Sequence, residues 1–446
     1  MKKILIVNRG EITARIIKTC ESLGIETVVI YSDADANLPY VKKATKAYRV
    51  GEAPVQKSYL NVDEIIRIAK EERVDAIHPG YGFLSENTAF ANKIEKEGII
   101  FIGPSSDVIA MMGDKVAARE AMKRANVPVV PGSEQTLSTV EEAVEFSRSI
   151  GYPVMLKASG GGGGIGMVRC NNDEELQKAY LSTKARAKAY FGNDELFVEK
   201  LITNARHIEV QVFGDKQGNV VHLFERDCSV QRRNQKVIEE TPSPFLSEEV
   251  TAQICETAVQ AARSVGYYNA GTVEFIVDES ENFYFLEMNT RLQVEHPITE
   301  QVTGVDLVKW QILVAQDEAL PLKQEEIMRK NHSMEFRVYA EDPVTFLPSP
   351  GTISTFNLLE GDGVRVDSGY GNQNTVTPFY DPMIAKVIIT GSSRSEVIEK
   401  ANAYFETRSV EGLKTNIPLF KEILKDERFI AGQYDTSFLS TSLVKG

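Results

Sequence analysis

The stretch Lys157-Ala-Ser-Gly160-Gly161-Gly162-Gly163-Gly164-Ile165-Gly166-Met167 decides the architecture of this chain. Six of its residues are glycine, five in a row. Glycine loses more backbone freedom on folding than any other residue, so such a run destabilises a fold unless it has a use. That use is close approach of backbone N–H groups to an anion, most often a polyphosphate. Upstream, Tyr152-Pro-Val-Met-Leu156 reads as a strand with Lys157 at its end; downstream, Met167-Val-Arg-Cys170 reads as another. A flexible linker would carry serine and lack these strands. Gly161, Gly163 and Gly166 fit G-x-G-x-x-G, but the dinucleotide fingerprint needs a helix to start at the loop. Here the helix starts only after the second strand, capped by Asn172 or Asp173 and running over Leu176–Tyr190. The Walker pattern is absent, because no lysine follows the glycines. Strand, glycine loop, strand is a hairpin: a mobile flap that covers a nucleotide's phosphates and excludes water.

Working outward, residues 131–202 form a small lid around this flap. Before it, residues 1–113 alternate apolar strands and helical patterns, as a parallel α/β unit does. The strands are Lys3–Val7, Thr27–Tyr31, Ala76–His78 and Ile99–Ile102; the helices are Glu11–Leu23, Val62–Glu72 and Thr88–Glu97. Two loops there, Asn8-Arg9-Gly10-Glu11 and His78-Pro79-Gly80-Tyr81-Gly82-Phe83-Leu84-Ser85-Glu86-Asn87, follow strands, where open α/β sheets bind ligands. Residues 114–130 read as a helical linker, with the helix at Lys115–Ala125. Residues 203–332 are an α+β portion with strands at His207–Phe213, Val220–Glu225, Thr272–Val277 and Phe283–Asn289 and a helix at Glu248–Val265. Residues 333–446 form a last mixed lobe with a helix at Ser395–Tyr404.

The hairpin Thr272–Val277/Phe283–Asn289 carries chemistry. If Asp278 pairs with Phe283, Glu274 lies across from Glu287, and alternation puts Asn289 on the same face as Glu287. Facing carboxylates repel unless a cation sits between them or one is protonated. With an amide oxygen alongside, this all-oxygen set suits Mg²⁺ or Mn²⁺. Next comes Arg291-Leu-Gln293-Val-Glu295-His-Pro297. If it is extended, Arg291, Gln293 and Glu295 share one side and could bind and deprotonate a small oxyanion beside a γ-phosphate. His296, before proline, reads as structural. Gln231-Arg232-Arg233-Asn234-Gln235-Lys236 is a basic cluster in an acidic chain, after the strand ending at Glu225, and reads as a ligand contact.

Composition bounds the alternatives. The 446 residues suggest about three domains at roughly 150 residues each. A net charge of −13 argues against nucleic acid as a partner. No apolar run approaches the ~18–20 residues that span a bilayer, and Met-Lys-Lys-Ile-Leu-Ile-Val is interrupted by Asn8-Arg9-Gly10-Glu11 too early for a signal peptide. Cys20, Cys170, Cys228 and Cys255 lack metal spacing and suit a reducing, cytoplasmic setting.

These residues resemble the biotin carboxylase components of biotin-dependent carboxylases, a branch of the ATP-grasp enzymes. The likeness rests on Asn8-Arg-Gly-Glu, His78–Asn87, Met112-Gly-Asp-Lys115, the glycine run, Glu225-Arg-Asp-Cys-Ser229, Glu287-Met-Asn-Thr-Arg291 and Gln293-Val-Glu-His-Pro297. It continues through Phe346-Leu-Pro-Ser-Pro-Gly351, Tyr380-Asp-Pro-Met383 and Gly412-Leu-Lys-Thr-Asn416, so it runs to about residue 440. It implies an ATP-grasp fold, mixed α/β and α+β: an N-terminal parallel α/β domain, the glycine-rich lid and a C-terminal biotin carboxylase domain.

The resemblance also implies roles. Lys115 and Lys157, with Gly162, Gly163, Gly164, Gly166 and Met167, would meet the ATP phosphates. Glu199, Lys200 and Ile202 would form the adenine-binding link, and His207, Gln231 and Asn234 further nucleotide contacts. Glu274, Glu287 and Asn289 would be the metal ligands. Lys236, Arg291, Gln293 and Val294 would bind bicarbonate, Glu295 would deprotonate it, and Arg337 would stabilise enolised biotin. Ile165 and Asn234 depart from the arginine and histidine common in the family. The expected reaction is ATP- and Mg²⁺-dependent carboxylation of biotin through carboxyphosphate, the first half-reaction of an acetyl-CoA carboxylase in fatty acid synthesis. A pyruvate or propionyl-CoA carboxylase subunit or another ATP-grasp ligase stays as an alternative, and a regulatory protein without chemistry as a further one. Ala121-Met-Lys-Arg124 is the nearest approach to a biotin-attachment sequence, so biotin is expected on a separate carrier protein, with separate carboxyltransferase subunits and a homodimeric state.

Overall fold

The computed structural model describes residues 1–158, 167–191, 194–232 and 235–442. Among them the strands form a five-stranded, a three-stranded and an eight-stranded sheet and two short two-stranded pairs. No helix among them is long and apolar enough to cross a membrane.

The five-stranded sheet is parallel, in the order Lys46–Gly51, Glu26–Ser32, Lys3–Ile6, Ala76–His78, Ile100–Phe101. Apolar runs such as Ile4-Leu5-Ile6 make the central strands, because both faces of the sheet are covered and these side chains are fully buried. Strand order reverses between Lys3–Ile6 and Ala76–His78. The two loops singled out in the sequence leave these two strands, at the switch point where such sheets open a crevice. They are joined: the Asn8 amide donates to the carbonyls of Pro79 (2.7 Å) and Tyr81 (2.8 Å). Gly80 allows this, because its φ is +64° and a Cβ there would lie 2.9 Å from the Asn8 amide nitrogen. Strand Lys46–Gly51 had no sequence signal. It is an edge strand with Val50 as its one fully buried side chain.

The lid is an antiparallel sheet ordered Met167–Cys170, Val154–Ala158, Leu196–Lys200, with helices Val140–Ile150 and Asp173–Phe191 packed on it. Val154 pairs with Cys170 and Leu156 with Val168, so strands flanking the glycine run do form a hairpin. The run itself (160–164 and 166, with Ile165), together with Arg233 and Asn234, lies outside the described residues.

The eight-stranded antiparallel sheet runs Phe283–Asn289, Asn269–Val277, Arg206–Gly214, Val220–Arg232, Gln235–Thr241, His332–Tyr339, Met383–Gly391, Val364–Ser368. It crosses residue 333 without a break, so the two C-terminal portions share one hydrogen-bonded layer. Helix Glu248–Ser264 covers one face through Ile254, Ala258 and Ala262 against Val210, Val212 and Phe275. In strand Arg206–Gly214 the alternation His207-Ile208-Glu209-Val210-Gln211-Val212 sends the apolar set to that core and the polar set to the other face. That polar face builds the site.

Candidate functional site

The register of the carboxylate hairpin differs from expectation in an instructive way. Val277, not Asp278, pairs with Phe283, which by itself would put Glu274 opposite Leu286. A β-bulge between Glu274 and Phe275 absorbs Leu286, and Glu274 then faces Glu287 after all. Leu286 is left half exposed. The segment after it is also not extended as assumed. It bends at Arg291, turns at Val294-Glu295 and enters helix His296–Thr303.

The turn swings Glu295 inward until its side chain is fully buried. Its carboxylate accepts from Lys236 Nζ (2.7 Å) and Arg337 Nη2 (2.9 Å). Lys236 also binds Glu209 (2.6 Å) and Glu274 (3.1 Å). His207 Nε2 meets the other Glu274 oxygen at 2.9 Å. The structure therefore joins Lys236, His207, Glu274, Asn289, Arg291, Gln293, Glu295 and Arg337 in one network. Arg291 donates to Gln293 Oε1 and Asn289 Oδ1 (2.9 Å each), and both amides donate onward to Glu274.

Burial opposes ionisation throughout, and the partners decide the outcome. Glu295 is nevertheless held well below the usual carboxylate range by Lys236, Arg337 and Arg226. Burial likewise opposes the Glu274 charge, but Lys236 and His207 keep it low. The His207 imidazole is raised because Glu274 outweighs burial, and the Lys236 ammonium is raised for the same kind of reason. Glu287 is different. Burial and the Glu274 charge raise it, with Lys115 opposing. It has no hydrogen bond or ion pair among the described residues.

A divalent cation fits here. Two facing carboxylates, one of them unpartnered and pushed toward protonation by the other, are relieved by a hard cation between them. One correction applies: the Asn289 amide shows its NH₂ to Glu274 and its oxygen to Arg291, so ligation requires the amide to turn over. The ammonium of Lys236 already fills the space between Glu209, Glu274 and Glu295.

The other residues expected to contact the nucleotide fall elsewhere. Lys157 ion-pairs with Glu199 within the lid sheet. Lys200 is tied to the carbonyls of Gly151 (2.9 Å) and Tyr152 (3.0 Å). Ile202 is half-buried just past that strand and Met167 is 39% exposed at the start of its own. Lys115 is exposed at the N-terminus of helix Lys115–Arg124. The basic cluster does not follow its strand, as the sequence reading had it. The strand continues to Arg232, and Gln231 pairs with Lys236 across the hairpin. Gln231 is buried there. Arg232 is spent on Glu341 (2.7 and 2.8 Å), over the Phe346 ring.

Sequence reasoning missed several members. Glu209, although next but one to His207, is fully buried between Lys236 and Arg226. Arg226, also fully buried, donates to Glu209 (2.5 Å), Gln211 (2.8 Å), Thr299 (2.9 Å) and Thr272 (3.2 Å). Glu239 lies 2.6 Å from Arg337 Nε, and burial pushes its carboxyl up to about 7. Glu86, from the second N-terminal loop, accepts from Thr290 N (3.0 Å) and Arg291 Nε (2.8 Å). The usable signal was polar alternation in strands that otherwise read as core.

Comparison with known proteins agrees with this geometry. Residues 1–109 match the family model for the biotin carboxylase N-terminal domain. Residues 114–323 match that for the carbamoyl-phosphate synthase L chain ATP-binding domain, and 335–441 that for the biotin carboxylase C-terminal domain. Biotin carboxylase 2 of Bacillus subtilis is 56% identical over 441 residues, covering 99% of both chains. The pyruvate carboxylase of the same organism is 50% identical over a match that spans 39% of its length. Among solved structures, the biotin carboxylase domain dimer of Hydrogenobacter thermophilus 2-oxoglutarate carboxylase, with MgADP, ADP and bicarbonate, is 49% identical with a TM-score of 0.91. It covers 98% of this chain and 97% of that one. The Campylobacter jejuni biotin carboxylase in complex with β,γ-ATP is 45% identical with a TM-score of 0.92, covering 98% of each. With the family models spanning nearly its whole length around this buried lysine–carboxylate–arginine network, the chain belongs to the biotin carboxylase family of ATP-grasp ligases.

Proposed function

We propose that the protein carboxylates biotin carried on a separate carrier protein, using ATP, Mg²⁺ and bicarbonate, as the first half-reaction of an acetyl-CoA carboxylase. The observation that carries the chemistry is the buried Glu295 carboxylate between Lys236 and Arg337. The two cations keep Glu295 ionised, so it is ready to accept a proton. When bicarbonate enters, Arg291 and Lys236 turn to the substrate's charge, the hold on Glu295 weakens, and its basicity rises. Glu295 takes the bicarbonate proton, and the oxyanion attacks the γ-phosphorus as the bond to ADP breaks, giving carboxyphosphate. Breakdown releases CO₂ and phosphate. Phosphate takes the ureido proton of biotin, Arg337 stabilises the enolate oxygen, and the nitrogen bonds to CO₂. Glu274 and Glu287, with Asn289 turned over, would hold Mg²⁺, which supplies charge neutralisation at the β- and γ-phosphates. Lys115 and the lid residues Lys157, Glu199, Lys200 and Ile202 would hold the nucleotide, with His207 and Gln231 contributing from the sheet.

The acetyl-CoA assignment draws on full-length similarity to free-standing biotin carboxylases. The pyruvate, 2-oxoglutarate and propionyl-CoA carboxylases at 49–50% identity make those acceptors the second reading. The Hydrogenobacter neighbour is a dimer, and we extend that state to this chain, together with a cytoplasmic setting suited to four free, buried thiols. The test is phosphate release from ATP by the purified protein, with and without bicarbonate, free biotin and EDTA. Turnover that needs bicarbonate, rises with biotin and stops with EDTA supports the reading. Turnover indifferent to bicarbonate refutes it.

A further inference from the structure

Helix His296–Thr303 begins directly at the site, and its first turn is set from behind. The backbone of His296 donates to Gln293 O (3.3 Å), closing a turn through Val294 and Glu295. The His296 side chain reaches the same carbonyl, Nδ1 to O 2.8 Å, and is fully buried. A carbonyl only accepts, so Nδ1 carries the proton. Burial and the nearby charges of Lys386, Arg15 and Arg365 keep the ring neutral, and its Nε2 has no partner. The next carbonyl, Val294 O, accepts from Lys386 Nζ at 2.8 Å. Lys386 is 0% exposed, and its ammonium also lies 3.1 Å from Glu11 Oε2. Glu11 in turn accepts from the Tyr81 hydroxyl. Both N-terminal loops at the switch point thus converge, through Glu11, on one ammonium behind the 293–295 turn.

The peptide unit is planar and trans, so each C=O points opposite to the N–H of the following residue. Fixing the carbonyls of Gln293 and Val294 therefore fixes the N–H groups of Val294 and Glu295. Neither N–H has an acceptor among the described residues. Unpaired N–H groups at a helix start carry partial positive charge and attract anions. Here they belong to the segment whose side chains hold Arg291 and Lys236.

We propose that Lys386, held by Glu11, and His296 are positioning residues for the carboxylation: they grip the carbonyls of Val294 and Gln293 so that the N–H groups of Glu295 and Val294 stay aimed at the reacting oxyanion. The inference rests on the bicarbonate pocket proposed above. It assigns a use to Asn8–Glu11 and His78–Asn87, and to a histidine that reads as merely structural.

The test uses the full chain. Glu11→Gln/Lys386→Met removes both buried charges together, so neither is left uncompensated. His296→Leu removes the donor, and His296→Asn keeps an N–H near the Nδ1 position. In bicarbonate-dependent phosphate release, the double variant and His296→Leu raise KM for bicarbonate roughly 10- to 100-fold. His296→Asn brings it back toward wild type, and MgADP affinity measured by calorimetry is unchanged. An unchanged KM for bicarbonate in both His296→Leu and the double variant overturns the inference, as does a parallel loss of MgADP affinity, which marks a general structural role. If the double variant does not fold, the His296 pair decides. If the wild type needs no bicarbonate, the pocket itself is gone and the inference falls with it.

Discussion

Replacing Glu295 with glutamine tests the chemistry most directly, because the structure separates its catalytic from its structural consequences. The carboxylate accepts from Lys236 at 2.7 Å and from Arg337 at 2.9 Å. Glutamine keeps an oxygen for one of them and sets an NH₂ against the donors of the other. Neither cation is stranded: Lys236 keeps Glu209 and Glu274, and Arg337 keeps Glu239. The stability loss is therefore that of a charge-assisted hydrogen bond, about 1.5–3 kcal/mol. Losing the base is far larger. General-base catalysis contributes roughly 10²–10⁴-fold, or about 3–5 kcal/mol of barrier at ~1.4 kcal/mol per tenfold. The assay is bicarbonate-dependent phosphate release with free biotin, alongside MgADP calorimetry and a thermal unfolding scan. The expected outcome is turnover down by two or more orders of magnitude, MgADP affinity retained and the chain still folded. Turnover within about tenfold of wild type would refute Glu295 as the base.

Other perturbations probe the surroundings. Arg226→Met leaves Glu209 buried without its guanidinium and orphans Gln211, Thr272 and Thr299, so it should cost about 3–5 kcal/mol; an unfolding midpoint equal to wild type contradicts this. Glu86→Gln weakens the hold on Arg291 Nε from a partly exposed position, and KM for bicarbonate should rise roughly 2- to 10-fold. A change confined to KM for ATP would contradict that. Burial opposes the Glu240 charge, yet its hydrogen bond from His332 and the Arg394 guanidinium lower it from near 4.5 to about 2. Its stabilisation is thus complete above about pH 4.5 and disappears as pH falls toward 2, amounting to about 3 kcal/mol. Urea unfolding of Glu240→Gln should show a deficit against wild type that narrows over that window, and a pH-independent deficit counts against the argument.

How much of this could be read in advance depends on the range of the interaction. The bounds of helix Val62–Glu72 and of strands Ala76–His78 and Phe283–Asn289 agree with the sequence reading, because local periodicity and caps specify them. The lid hairpin was legible from two short apolar runs around glycine, as were the parallel N-terminal sheet and the opposition of Glu274 and Glu287. Yet that opposition was reached through an assumed pairing one residue out, and a bulge at Leu286 supplied the difference. Pairing register is a property of two strands and their turn together, so neither strand's pattern reveals a bulge.

The sequence by itself determined the family, the mixed α/β character, the hairpin around the glycine run and the carboxylates, lysines and arginines that the site draws on, since these follow from residue type and local spacing. Only the tertiary structure decided how they are used. It wound Gln293–His296 into a turn that buries Glu295, engaged Arg232 with Glu341, and brought Glu11 and Lys386, 375 positions apart, to the back of the same turn. Buried charges must find partners, and at the closure of a fold those partners come from whichever strands meet. One-dimensional spacing cannot state that meeting.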